Sequence, residues 1–321
     1  MNMASMIPAN HTSTSQRLRH TVLNVKRNWG LLLLFLPTLI YIIVFRYLPM
    51  GGILIAFKDY KPSLGIFSSP WADHYGLKYF IKFFSSYNFL TLITNTLRIS
   101  LYSLIASFPF PILFALLLNS LPNKRFRKVV QTVTYAPHFI SMVVMVGMLY
   151  IFLTPSSGLV NIAIRALGGK TVMFLNSDEM FPHVYVWSGI WQHFGWDSIL
   201  YIAALANVSP ELHEAAIVDG ASKWQRIRFI DFPSILPTAI IMLILNTGSV
   251  MSVGFEKAYL LQNSMNLATS EVLSTYVYKV GLLNSQFSLS TAMGLFNSVV
   301  NFGMLVLVNM VSKKVSGSSL W

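Results

Sequence analysis

The chain has 321 residues, 54% of them hydrophobic and only 11% charged, with a mean hydropathy of +0.58 and a formal net charge of +12 at pH 7. A soluble domain carries about 25% charged residues, so a water-solvated globular fold is excluded. The absence of cysteine removes disulfides, thiol chemistry and thiolate metal sites. The positive balance gathers in short segments beside apolar runs and reads as membrane topology and contact with anionic headgroups, not as nucleic-acid binding.

In chain order, residues 1–28 are polar, rich in Ser and Thr, and expected to be a partly disordered tail carrying Arg17, Arg19, Lys26 and Arg27. An apolar run near 29–50 follows. It is longer than the roughly 7–15 apolar residues of a secretory signal, has a long polar leader and no A-x-A-like site, so it is expected to persist as a first helix. Further apolar runs lie near 91–119, 129–153, 183–206, 234–255 and 288–311. Each approaches or exceeds the roughly 20 residues that cross hydrocarbon as a helix. Pro37, Pro109, Pro111 and Pro137 fall inside these runs, where neighbouring helices re-satisfy the freed carbonyls. The pattern predicts an all-α polytopic membrane protein with six transmembrane helices.

The connections differ in character. Residues 51–90 form the longest outside segment, and the aromatic stretch from Tyr79 to Tyr87 is expected to be an interfacial helix with Trp71 nearby at headgroup depth. The segment 154–182 opens on the turn signal Thr154-Pro155-Ser156-Ser157-Gly158. The segment 256–287 is polar, with a short helix expected near Ser270–Lys279. Lys124, Arg125, Arg127 and Lys128 follow the second run, Lys223, Arg226 and Arg228 the fourth, and Lys313 and Lys314 the sixth. With six spans these lie on the side of the N-terminal tail, which makes that side cytoplasmic and places both termini there. The expected organisation is a tail over 1–28, a transmembrane domain over 29–312 and a tail over 313–321.

The segment 209–232 is a charged insert between apolar runs. Ser209-Pro210 reads as a helix start, the hydroxyl able to cap free amides and the proline preset at the first position. Glu211 and Glu214 fall in the early turns, where the helix dipole favours negative charge. Ala215 and Ala216 keep one face flat. Between Asp219 and Ala221, Gly220 supplies a turn, because glycine takes a positive φ without steric cost. Ser222 and Gln225 have capping-box spacing for a second helix that runs to Pro233. Two short helices at an angle suit a groove on a partner; an ordinary solvated loop is the alternative.

The fourth run brings Trp187, Trp191, Gln192, His193, Trp196 and Asp197 to membrane depth. Ionisable residues there usually face the bundle interior or a water-filled cavity. Indole faces that stack on sugar C–H groups, with amides and carboxylates taking hydroxyls, make this run a candidate substrate path. Asn246 and Ser249 in the fifth run, with Asn297 and Asn301 in the sixth, are candidates to line the same path. The alternatives are lipid-facing indoles, a satisfied His193–Asp197 pair and interhelical hydrogen bonds from the asparagines. Gly168-Gly169-Lys170-Thr171 looks like the end of a phosphate-binding loop, but Ile164 stands where that loop needs its first glycine. No metal site is read anywhere in the chain.

The insert resembles the EAA signature of permease subunits of bacterial ABC importers: Glu214-Ala215-Ala216, three residues, Gly220, nine residues, Ile230, one residue, then Phe232-Pro233. Phe232 replaces the usual leucine. Leu48–Ile53, Ala56–Pro62, Gln131–Ser141 and Ser274–Tyr278 resemble the polysaccharide branch of these sugar permeases, including permeases of alginate importers. The resemblance implies the type I importer permease architecture, with Glu214, Ala215, Ala216, Asp219, Gly220 and Ala221 at the joint with an ATPase subunit. It also implies a second permease subunit, two ATPase subunits that bind ATP-Mg, a periplasmic binding protein and an acidic, alginate-like oligo- or polysaccharide as substrate. This chain itself is then expected to bind no cofactor and to catalyse nothing. A stand-alone secondary transporter is the other transport class considered. It usually carries inverted repeats with ion sites in both halves, which the sequence lacks. A membrane-embedded enzyme finds no H-E-x-x-H or G-x-S-x-G to support it.

Overall fold

A computed structural model describes residues 28–317 and 319–320; the expected disorder of the N-terminal tail concerns residues outside that range, save Asn28. The chain divides into two compact units, up to Leu54 and from Ile55 onward. Every regular element among the described residues is helical, apart from an isolated antiparallel bridge between Lys58 and Trp71.

The first candidate span, α1 (Trp29–Phe57), begins in the first unit. It widens into a π turn at Ile43–Tyr47, directly before Pro49, which has no N–H to donate and crowds the carbonyl four residues back. Its last stretch, Gly51–Phe57, is a 3-10 helix.

In the second unit, α2 (Lys78–Phe84) is the expected short aromatic helix. The spans α3 (Phe89–Asn119), α9 (Lys223–Thr247) and α12 (Phe287–Ser316) are each long and apolar enough to cross a bilayer. The third expected span is not straight. It consists of α4 (Lys124–Phe139) and α5 (Met142–Leu153), which meet at 99°. Pro137 lies in the 3-10 end of α4, Ile140 is extended, and the Ser141 hydroxyl caps α5 by accepting from Val144 N. The bend frees the Ile140 carbonyl, and Gln192 Nε2 donates to it at 3.0 Å.

Outside the spans, α6 (Leu159–Ala166) is a helix that the turn signal did not foretell. Gly168 ends it with φ of +83° while Gly169 N donates back to Ile164 O, so the Gly-Gly-Lys-Thr stretch is a helix cap. The central helix is α7 (Met180–Leu205). At 26 residues it is about 39 Å long, enough to cross, although its polar residues keep it out of the most apolar set. It crosses α4 at Gly195, where a methyl group would stand 2.3 Å from the Thr134 carbonyl oxygen. Only a glycine lets two backbones approach so closely.

The insert contains α8 (Pro210–Val218), but the second of its two expected short helices is the first turn of α9. A π turn at Ile227–Asp231 carries that helix straight into the fifth span, just ahead of Pro233. The span ends at Thr247, earlier than expected, and Gly248 packs on Leu305 of α12. Short helices follow, among them α10 (Phe255–Leu261) and α11 (Leu273–Tyr278). Asn95 of α3 donates to the Ala268 and Glu271 carbonyls and Thr96 accepts from Leu273 N, so this segment is pinned to the second span.

Three apolar clusters fill the unit. Ile99, Val146, Phe181 and Leu261 join α3, α5, α7 and α10; Phe83, Leu92, Met251 and Met293 join α2, α3 and α12; Ile112, Tyr201, Ile227 and Ile235 join α3, α7 and α9. Between α1 and α2 the Asp59 carboxylate accepts from Tyr79 at 2.7 Å and from Lys78 at 3.0 Å. These bonds, Tyr79's foremost, hold its pKa below the ordinary carboxylate value.

Candidate functional site

Two regions of the second unit bring chemistry-bearing residues together: the insert at one end of α3 and α9, and a cleft beside α7.

In the insert, Asp219 closes α8 and Gly220 takes φ of +77°. Gly220 N donates to Ile217 O at 3.0 Å and Ala221 N to Ala216 O at 2.8 Å. This pair of bonds is the Schellman closure of a helix, which fixes a glycine four residues after the second alanine. Ser209 sits at the N-cap position, but its hydroxyl makes no capping hydrogen bond, contrary to expectation. The capping box at Ser222 and Gln225 is formed in both directions, at 3.3 and 2.7 Å. No residue of α8 is buried. Leu212, Ile217, Val218 and Trp224 of the insert are all well exposed, and exposed apolar side chains of this kind mark interaction surfaces where they are contiguous.

The insert is also tied inward, through residues the sequence did not single out for this. His213 of α8 reaches Asp231 Oδ1 at 3.2 Å, and Asn119 at the end of α3 donates to the same oxygen at 3.5 Å. Asp231 is only 3% exposed. A cavity of about 510 Å³, lined by Asn119, His213, Glu214, Lys223, Arg226 and Asp231, lies beside this junction.

The candidate path residues of α7 point three ways. Trp187 and Trp191, one turn apart, line an apolar cavity of about 560 Å³ with Met145, Met148 and Phe152. Trp187 Nε1 donates to the Tyr102 hydroxyl at 2.9 Å, which in turn lies 2.9 Å from His183 Nδ1. Gln192 and Trp196 face the α4–α5 bend: Gln192 holds the Ile140 carbonyl, and the Trp196 ring stacks on His138 at 4.4 Å. His193 and Asp197 face a third direction. Both line a cleft of about 440 Å³ with Ser103, Ser107, Gly189 and Lys257. His193 Nδ1 is 3.0 Å from His138 Nδ1, so one ring donates to the other. Asp197 is not hydrogen-bonded to His193; it lies at the junction with a smaller cavity of about 230 Å³ that Asn246, Ser249, Ser103 and Ser107 line.

The sixth-span asparagines stand apart from both cavities. Asn301 accepts from Met251 N at 2.8 Å and donates to Ser252 at 2.9 Å, which locks the end of the fifth span to α12. Asn297 keeps a buried carbonyl oxygen without a hydrogen-bond partner. Lys257, Tyr185, Ser103 and Ser107 were not foreseen: Tyr185, Ser103 and Ser107 sit in runs that read as ordinary helix, and Lys257 in a segment that reads as a polar connection. Among the described residues no cluster of three or more His, Asp or Glu residues fits a metal ion.

Residues 107–317 match the family model of the binding-protein-dependent transport system inner membrane component. The chain belongs to that family. It is therefore a multi-pass inner-membrane permease component. It is 41% identical to Protein LplB of Bacillus subtilis (strain 168) over 297 residues, covering 92% of each chain. It is 42% identical to the polygalacturonan/rhamnogalacturonan transport system permease protein YteP of the same organism, covering 91% of this chain and 90% of that one. Among solved structures, the permease resembles a chain of a bacterial ABC transporter involved in the import of the acidic polysaccharide alginate. The TM-score is 0.84 at 39% identity, over 92% of this chain and 99% of that one. A second structure, of bacterial alginate ABC transporter in complex with alginate pentasaccharide-bound periplasmic protein, gives 0.83 at the same identity.

Proposed function

We propose that this permease forms, with a second permease subunit, the path for an acidic oligosaccharide in an ATP-driven importer. A periplasmic binding protein delivers the sugar, and two ATPase subunits dock on the cytoplasmic side. Six spans place both termini in the cytoplasm. The chain itself binds no cofactor and catalyses nothing; ATP-Mg is held and hydrolysed by the ATPase subunits. The substrate class is supported by the polygalacturonan/rhamnogalacturonan permease and the alginate importer to which the chain is similar.

The observation that carries the coupling reading is the construction of the insert. It leaves Glu214 and the apolar Leu212, Ile217, Val218 and Trp224 exposed, while it is bonded through His213 and Asp231 to Asn119. Those bonds reach α9 and α3. Asn246 at the far end of α9 and Ser103 and Ser107 midway along α3 line the smaller cavity that adjoins the cleft beside α7. A push on α8 is thereby delivered to two helices that wall this cavity, the arrangement needed for rocking between two states.

Reconstitution in proteoliposomes tests this. Uptake of an acidic oligosaccharide requires ATP, the binding protein and both permeases, and vesicles holding this chain alone take up nothing. ATP-independent uptake by the chain alone means a secondary transporter and overturns the reading.

A further inference from the structure

We propose that Lys257 is a specificity-determining residue of the α7–α10 cleft, its ammonium receiving a carboxylate of the passing sugar. The inference rests on the importer function proposed above.

The side chain of Lys257 leaves α10 and turns inward until the residue is only 5% exposed. Its Nζ donates to the Tyr185 carbonyl at 2.6 Å and lies over the Tyr185 ring, 4.8 Å from the centroid. An ammonium has three donors, and the neutral carbonyl answers one of them without supplying a countercharge. A buried cation is costly unless it is paired. Here the acids at hand do not pair with it. Glu256, its neighbour in sequence, and Asp197, across the same cleft, both line the space. Yet neither makes a salt bridge with Lys257 among the described residues.

The space in front of the ammonium is kept open by the sequence. A methyl group at Gly189 would stand 3.1 Å from Lys257 Nζ, so any other residue there crowds the charge. The cleft of about 440 Å³ falls in the range of small-molecule sites. Ser103, Ser107 and His193 supply hydroxyl and imidazole groups for sugar hydroxyls, and Phe255 an aromatic face. Among the described residues Lys257 is the one Lys or Arg that lines it. A charge-assisted bond to a carboxylate is about twice as strong as a neutral one, which separates an acidic sugar from its neutral counterpart.

The test uses the complete importer assembly in lipid nanodiscs, with trigalacturonate and its carboxyl-reduced neutral counterpart as probes. The wild-type assembly is expected to bind trigalacturonate roughly tenfold more tightly than the neutral sugar. Lys257→Gln should remove that difference and Lys257→Arg should retain most of it. Gel filtration and bound ATPase subunits report whether each variant assembles; if Lys257→Gln does not, the same comparison is made with Gly189→Ala, which crowds the ammonium and should narrow the difference. A wild type that does not prefer trigalacturonate, or a Lys257→Gln variant that keeps the preference or weakens both probes equally, overturns the proposal. ATP-dependent uptake by the wild type in that case leaves the importer reading standing; absent uptake defeats that reading instead.

Discussion

At the scale of single residues, close approaches and hydrogen bonds set sharp expectations. Gly195 of α7 meets the Thr134 backbone of α4, so Gly195→Val forces the helices apart and should cost about 3 kcal/mol. Gly147 of α5 has open space where its side chain would be, and Gly147→Ala should stay within about 0.5 kcal/mol of wild type. Thermal unfolding in detergent, followed by tryptophan fluorescence, compares the two. Asp59 gives a pH signature. Its carboxyl is depressed, first by the Tyr79 hydroxyl and then by Lys78. The stabilisation is therefore complete above the ordinary carboxylate pKa and is lost as pH falls through the lowered value. The unfolding midpoints of wild type and Asp59→Asn should differ at pH 7 and converge only as pH falls below the ordinary carboxylate pKa of about 3.9. A gap that stays constant with pH contradicts the bond pattern. The residue scale is also where sequence reading went least far. Glu214 and Gly220 stand in a local spacing that the Schellman closure explains. Lys257 finds Tyr185 only 72 residues away, and no local period announces such a meeting.

At the scale of elements, the apolar runs were legible because each is long and nearly uncharged. Their ends were not. The fifth span was expected to begin at 234, yet α9 starts at Lys223, because the capping box starts a helix that the π turn carries past Pro233. The third run contains Pro137, which hydropathy tolerates without revealing a 99° bend; the carbonyl freed there is held by Gln192 from another helix. The junction of α8 with α3 and α9 was illegible for the same reason, since Asn119 and Asp231 are 112 residues apart. It is testable directly. His213→Ala leaves the buried Asp231 carboxylate with only the long Asn119 bond, a loss of about 1–3 kcal/mol. Hydrogen exchange should then rise across α8 and the first turn of α9, and sugar-stimulated ATP hydrolysis should fall while the other spans keep their protection. Ser222→Ala should loosen only the start of α9, by about 1 kcal/mol. Uniform exchange changes along the whole chain contradict a local tie.

At the scale of the whole molecule, single helices of the permease serve more than one region. α3 and α9 each touch the insert at one end and line the small polar cavity farther along, α3 at mid-length and α9 at its other end, while α7 divides its faces between an apolar cavity, the α4–α5 bend and the cleft. Composition alone reported a membrane protein, and the EAA spacing implied a joint, but neither said that the two spans bonded to the insert also line the small polar cavity. The chain contains no cysteine, so a single introduced thiol reports on one position without background. The most direct measurement pairs Glu214→Cys with one cysteine in the docking cleft of the ATPase subunit, in the assembled importer. A disulfide should form on oxidation, stop sugar uptake, and restore it on reduction. Full assembly and uptake with no cross-link from Glu214→Cys, under conditions that oxidise a control pair, would contradict the coupling role of the insert.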